Sequence, residues 1–379
     1  MERDQATELI HSLLRGMITK NASDLFISAG FPPAFKVDGK MTPVSQQALT
    51  PTHTLELAHS IMNDRQTAEF ESTRECNFAI SPSGIGRFRV NVFMQQQRVG
   101  MVLRTITTKI PQLEELGLPD VLRDVVMSKR GLVILVGGTG CGKSTTLAAM
   151  LGYRNKNSYG HIITIEDPVE YVHEHASCLV THREVGVDTD SWQIALKNTL
   201  RQAPDVILIG EVRDRETMEY AVTFAETGHL CLCTLHANSS NQALDRIINF
   251  FPEERREQLL MDLSLNIKAL ISQRLIPKSD GVGRAVAMEI LLNSPLISDL
   301  IFKGDVHEIK QVMSRSRELG MQTFDQALFD LFEAGQIGYA EALKNADSVN
   351  DLRLKIKLDS KTAKDTDMMA GLDHLKMTE

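Results

Sequence analysis

The sequence predicts a two-domain protein. An N-terminal α+β domain spans residues 1–112, a C-terminal α/β domain with a helical end spans 113–350, and a tail follows over 351–379. Three observations carry this. In "GRFRVNVFMQQQRVGMVLRTI", Phe88, Val90, Val92 and Met94 share one face while Arg87, Arg89, Asn91 and Phe93 share the other, the period of an antiparallel sheet. The runs LVILV, HIITI, DVILI and HLCLCTL alternate with helical stretches between residues 132 and 235, the pattern of a parallel sheet. The first run enters Gly137, then four residues, then Gly142-Lys143-Ser144, the spacing of a phosphate loop between a strand and a helix.

Each element follows in order. Leu9, Ile10, Leu13, Leu14 and Met17 mark one face of a first helix, ended by "NASD". "LFISAGFPPAFKVDGK" reads as two short strands around a Pro-Pro turn, and "LTPTHTLELAHSIMNDRQTAEFE" as helical after its Pro and Thr start signals. The sheet strands after it turn on a Gln-Gln-Gln stretch. "TTKIPQLEELGLPDVLRD" links to the second domain. After residue 250 the reading is helical throughout, including "EERREQLLMDLSLNIKALISQRL" and "TFDQALFDLFEAG". "DLRLKIKLD" alternates like a half-buried strand, with a disordered basic-apolar stretch equally open, and the closing "DSKTAKDTDMMAGLDHLKMTE" is polar enough to be disordered.

Composition narrows the class. The content, 42% hydrophobic and 24% charged, is that of a soluble globular chain. A formal charge of −8 gives no overall basic footprint, so nucleic acid is not the expected partner. The N-terminus is charged and amphipathic, unlike a signal peptide. Five scattered cysteines argue for a reducing cytoplasm. Cys231 and Cys233 alone make no zinc site, so core packing is expected of them. The spacing of His161, His173, His175 and His182 fits no metal motif, and solvated loops are the expectation for them.

The loop residues Gly137, Gly138, Thr139, Gly140, Cys141 and Gly142 offer backbone N–H groups to a phosphate, with the helix N-terminus behind them. Lys143 can reach the outer phosphates, and the Ser144 hydroxyl can ligate Mg²⁺. Glu166, Asp167 and Glu170 follow the second parallel strand, and Glu211 follows the third after an intervening Gly210. Strand ends of an open α/β sheet face one crevice, so these acids converge there. His236 closes the fourth strand, where a phosphate-sensing role and a satisfied core histidine are equally open. Arg87, Arg89, Arg98 and Arg104 crowd the strands of the first domain, either as a solvated face or as arginines completing a neighbour's site.

"GGTGCGKST", "ITIEDPVEY", "LRQAPDVILIGEVRD" and "AETGHLCLCTLHANSS" resemble the four signature boxes of the type II/IV secretion ATPase superfamily. "SDLFISAGFPPAFKVDG", "GRFRVN" and "LRTI" are similar to the first domain of its twitching-motility (PilT/PilU) family, and the PilU branch fits best. The resemblance implies a PAS-like first domain, a RecA-like ATPase domain and a cytoplasmic homo-hexamer using ATP and Mg²⁺. It further implies docking, peripheral at the inner membrane, on the pilus platform protein, and pilus retraction beside a PilT-like ATPase. It makes Thr145 a further phosphate or Mg²⁺ contact, Glu170 the activator of water, Glu211 a holder of Mg²⁺ and His236 the histidine-box residue. The four arginines would serve a neighbouring subunit's nucleotide. One stretch departs. "PLISDLIFKGD" puts Ser298, Asp299, Phe302 and Lys303 where retraction ATPases carry the polar residues of AIRNLIRE, which favours an accessory role. A secretion or conjugation motor and a non-hydrolysing scaffold subunit remain alternatives.

Overall fold

A computed structural model describes residues 2–37, 39–106 and 109–361. The chain divides into two compact units. The first holds residues 1–109 with the short segments Glu170–Val172 and Gly186–Asp188; the second holds the remainder.

In the first unit, α1 (Arg3–Thr19) is followed by β1 (Asp24–Ser28), β2 (Ala34–Val37) and β3 (Lys40–Pro43). Then come α2 (Pro51–Ile61), α3 (Asp64–Thr73), β4 (Glu75–Ile80), β5 (Arg87–Gln95) and β6 (Arg98–Ile106). The segment expected as one helix is two, because the Asn63 side chain accepts from the Gln66 N–H and restarts the helix. The six strands form one antiparallel sheet in the order β3-β2-β1-β6-β5-β4. Gln96 and Gln97 take φ of 46° and 60°, the left-handed pair that a tight two-residue hairpin demands. Phe88, Val90 and Val92 are fully buried and join Ile10, Leu14 and Leu57 of the helices in one core. Met94, at the hairpin end, is exposed.

The second unit begins with α4 (Val121–Met127), β7 (Gly131–Val136), α5 (Lys143–Asn157), β8 (Gly160–Glu166) and β9 (Cys178–Glu184). It continues through α6 (Trp192–Thr199), β10 (Val206–Ile209), α7 (Arg215–Glu226), β11 (Leu230–Leu235), α8 (Ser240–Asn249) and α9 (Glu253–Asn266). Next are β12 (Ile267–Pro277), β13 (Arg284–Leu292), α10 (Pro295–Lys303), α11 (Ile309–Ser314), α12 (Phe324–Glu333), α13 (Tyr339–Lys344) and α14 (Val349–Asp359). The sheet order is β13-β12-β7-β11-β10-β8-β9. All neighbours are parallel except the edge pair β12–β13. Each residue of β7 is buried. Leu132, Ile134 and Val136 face one core with residues of α7, α8 and α9, while Val133 and Leu135 face another with residues of α4 and α5. Burying such aliphatic side chains is worth roughly 1.5–3 kcal/mol each, so β7 is anchored from both faces of the sheet.

Two expectations are corrected. The chain after residue 250 is not all helix, since β12 and β13 extend the parallel sheet. "NIKALISQRL" carries no turn residue after α9, and a strand buried on both faces shows no alternation to betray it. "DLRLKIKLD" is a helix, α14, not a strand. Strand β9, containing His182, also went unforeseen. The stretch expected to be disordered lies, from residue 362 onward, outside the described residues.

Candidate nucleotide-binding site

Parallel register brings the chemical residues to one edge of the second sheet. Val136 pairs with Leu235 and Ser272, Cys233 with Ile134 and Ile209, and Ile209 with Ile165. The next residue along each of these strands therefore opens the crevice: Gly137, His236 and Gln273 in adjacent rows, then Gly210 and Glu166.

The loop is built by its glycines. Gly137, Gly140 and Gly142 have φ of 154°, 77° and 90°. A Cβ on Gly137 would lie 2.4 Å from Cys141 Sγ, and one on Gly142 would lie 2.8 Å from Gln273 Nε2. Gly138, Thr139 and Gly140 form the exposed crest, and Cys141, Gly142, Ser144 and Thr145 are half-buried. Lys143 opens α5 and is buried, with Nζ donating to the carbonyls of Gly137 at 2.8 Å and Gly138 at 3.1 Å. The cation is thus held against the crest, where an anion met by the loop's N–H groups finds it.

Gln273 was not foreseen. It lies on β12, the strand mistaken for helix, and is 2% exposed. Its Nε2 donates to the Cys141 carbonyl at 2.7 Å, and its Oε1 accepts from the Thr146 hydroxyl at 2.8 Å.

Glu211 stands beyond β10, half-buried. One carboxylate oxygen lies 3.1 Å from His236 Nε2; the other accepts from Arg213 Nε at 2.9 Å. That bond, with the nearby charges of Glu211 and Asp167, raises the Arg213 guanidinium's pKa. Arg213 is visible in "GEVRD" beside Glu211 but carried no expectation. The Gly210 spacer has a steric cause: its Cβ would fall 3.2 Å from Glu166 Cα and Cγ. Its carbonyl accepts from the Thr234 hydroxyl at 2.6 Å, tying β10 to β11 just below the acid. The His236 carbonyl accepts from Arg246 at 2.7 Å.

Glu166 ends β8 and is buried, whereas Asp167 and Glu170 are exposed. The Val169 N–H donates to buried Glu184 at 3.1 Å, fixing the turn between them. Glu170 belongs to a segment grouped with the first unit, so the loop, Glu166, Glu211 and His236 are what the second unit itself assembles. Arg87, Arg89, Arg98 and Arg104 all lie in the first unit. Arg89 stands directly opposite Arg104 across β5 and β6, and Arg104 is bonded to buried Asp24 at 2.7 Å. Arg98 is exposed at the hairpin.

The expectation of solvated loop histidines holds for His175, which is exposed, and is overturned for His161 and His182, which lie on β8 and β9, and for His173, which is buried. His161 bonds the Gln202 carbonyl and Thr181, His175 accepts from the Val180 N–H, and His182 accepts from the His173 N–H at 3.0 Å. Burial, then the neighbouring His182, pushes His173 down to a pKa of about 4. Cys231 and Cys233 are fully buried in β11, as core packing requires, and burial pushes the Cys233 thiol up to about 12.

With this geometry established, a model of the "Type II/IV secretion system protein" family matches residues 2–329. The chain belongs to that family. Its relatives include the type IV pilus ATPase PilU of Pseudomonas aeruginosa, 62% identical over 95% of this chain and 94% of the relative. The PilT retraction ATPase of the same organism is 44% identical over 89% of this chain and 98% of the relative. Among solved structures, the pilus retraction motor PilT with bound ADP superposes with a TM-score of 0.86 at 39% identity, covering 91% of this chain and 99% of that one. The family thus has the two-part α/β architecture described above. Among the described residues, no helix is long and apolar enough to cross a membrane.

Proposed function

We propose that this chain is the ATP-hydrolysing subunit of a homo-hexameric motor that drives or assists type IV pilus retraction, in the manner of PilU beside a PilT-like ATPase. The observation that carries this reading is the 62% identity to PilU over nearly the full length of both chains. The intact loop, with Lys143 held at its crest, supports a hydrolysing subunit over a scaffold.

In this reading the first unit is the PAS-like domain and the second the RecA-like domain. The residues present suit ATP and Mg²⁺. The loop crest is exposed and a side chain on Gly138 would meet nothing within 4 Å, so its backbone is open to a phosphate. Ser144 and Glu211 offer the hard oxygen donors that Mg²⁺ prefers. Bound Mg²⁺ neutralises phosphate charge and orients the group to be transferred. Gly137 through Gly142 cradle the phosphates, Lys143 binds the outer ones, and Ser144 and Thr145 hold the metal side. Glu211 supports the ion while His236 and Arg213 fix its carboxylate. Glu170 takes the proton of the attacking water. Arginines from among Arg87, Arg89, Arg98 and Arg104 serve a neighbouring subunit. The ring sits in the cytoplasm against the inner-membrane pilus platform protein, without nucleic acid.

Phosphate release by the purified chain tests the chemistry: turnover lost in Lys143→Ala is expected, and a native chain that releases no phosphate would refute it. Gene deletion scored for pilus retraction, with and without the PilT-like ATPase, tests the biology. Deletion without effect in either background counts against a pilus role.

A further inference from the structure

We propose that Gln273 is the positioning residue of the phosphate loop, holding the Cys141–Gly142 peptide in the one orientation that turns a loop N–H toward a phosphate. The inference rests on the nucleotide-binding reading above and adds to it a residue outside the signature boxes.

The geometry carries the argument. Gln273 is 2% exposed, and its amide is engaged at both ends, to the Cys141 carbonyl at 2.7 Å and the Thr146 hydroxyl at 2.8 Å. It therefore acts through the loop. A trans peptide is planar, with its C=O and N–H pointing opposite ways. With the Cys141 carbonyl drawn toward Gln273, the Gly142 N–H points away from it. Gly142 has φ of 90° and no Cβ, so nothing in its own backbone forbids a peptide flip. A flipped peptide would present a carbonyl oxygen where an anion needs a donor. The Gln273 amide supplies the missing restraint. Its second bond, to Thr146 in the first turn of α5, ties the loop to the helix whose N-terminus also faces the anion. Crowding acts in the same sense, because the Gln273 carbonyl lies 2.8 Å from where a Cβ on Gly137 would be. One residue of β12 thus closes both ends of the loop.

Binding of a fluorescent ATP analogue, KM and kcat for ATP, and thermal melting of the full chain test this. Gln273→Leu removes both bonds, and its affinity for the analogue should fall about tenfold or more, with KM rising in step. Thr146→Val removes only the second bond and should cost less. The double variant should bind no more weakly than Gln273→Leu, since both residues belong to one clamp. Gln273→Glu, which keeps shape and acceptor, covers the case of a Gln273→Leu chain that does not fold. It loses its donor only when ionised, so its affinity relative to native should fall as pH rises from about 6 to about 9. A lowered melting temperature with native affinity and KM would show a purely structural role and overturn the proposal. Additive losses in the double variant would do so too. A native chain that binds no nucleotide refutes the nucleotide-binding reading itself; defects confined to the variants, or their absence, judge Gln273 alone.

Discussion

Glu211 and His236 meet at 3.1 Å, carboxylate oxygen to Nε2, at the ends of two adjacent parallel strands. Arg213 takes the other oxygen, so the acid is held from both sides. His236→Ala leaves Glu211 to Arg213 alone, and the carboxylate swings toward the more exposed partner. Losing one bond to a charged group costs about 1.5–3 kcal/mol, so kcat should fall by about tenfold to a hundredfold. Binding of a non-hydrolysable ATP analogue should change far less. Steady-state kinetics beside equilibrium binding checks this, and equal losses in both would make His236 a binding residue.

The loop glycines are not equivalent. Gly137→Ala would drive a methyl to 2.4 Å from Cys141 Sγ, and Gly142→Ala to 2.8 Å from Gln273 Nε2, both at positive φ. Each should destabilise the second unit by roughly 1–3 kcal/mol. Gly138→Ala meets nothing within 4 Å and should melt like the native chain. Calorimetry without nucleotide separates the three; a Gly138 variant as unstable as the others would contradict the loop geometry.

The trans-arginine reading gives a mixing test. Arg104 is already bonded to Asp24, which is 3% exposed, so Arg104→Ala should cost the first sheet roughly 1–2 kcal/mol. Arg89→Ala and Arg98→Ala remove exposed side chains and should leave melting unchanged. If either arginine serves a neighbour, its loss should cost on the order of 10³–10⁵ in turnover. Mixing that variant with Lys143→Ala chains should then restore activity at mixed interfaces. Verified mixed rings without rescue would reject the trans role.

The site was legible where spacing encodes it. The loop from Gly137 to Ser144, Glu211 and His236 all follow short β-branched or apolar runs, and the parallel register set them side by side. What escaped notice lay where periodicity is blind. β12 is buried on both faces, so its apolar residues do not alternate, and Gln273 vanished with it. In α14, Leu352, Leu354, Ile356 and Leu358 alternate like a strand, yet the same spacing makes two i,i+4 pairs on a helix. Ser348, whose hydroxyl accepts from the Asp351 N–H, decides between them by capping the helix. The histidine contacts escaped because they depend on strand β9, which the sequence pattern did not reveal.

The packing of α14 sets what truncation should do. Leu352 and Ile356 are buried with Phe324, Leu328 and Phe332 of α12, whereas Leu354 and Leu358 are exposed. Leu352→Ala should cost about 2–4 kcal/mol, and Leu354→Ala less than about 0.5. Ending the chain at Asn350 removes both buried residues and Ser360, which donates to Glu333, so the α12–α13 end of the unit should loosen. Hydrogen exchange over residues 324–344 checks this; unchanged protection would mean that α14 contributes nothing to that core.

His173 should make stability sensitive to acid. In the folded chain its pKa is lowered to about 4 from the ordinary histidine value of 6.5, first by burial and then by His182. Between these values the unfolded chain takes up a proton that the folded chain refuses. The unfolded state is therefore favoured as pH falls through that window, and stability returns as pH rises above about 6.5. The full effect is on the order of 3 kcal/mol. His173→Phe keeps a ring to stack against His182, which in the native chain lies 5.9 Å away at 12° between planes. The backbone N–H that donates to His182 is untouched by the substitution. Other groups still titrate, so the difference between the two chains is the quantity to follow. Denaturant unfolding of both, from about pH 4 to about pH 7.5, should show native stability falling more steeply toward acid than that of the variant. Parallel curves would mean that His173 is protonated alike in the folded and unfolded chain, and that its burial beside His182 does not hold it neutral.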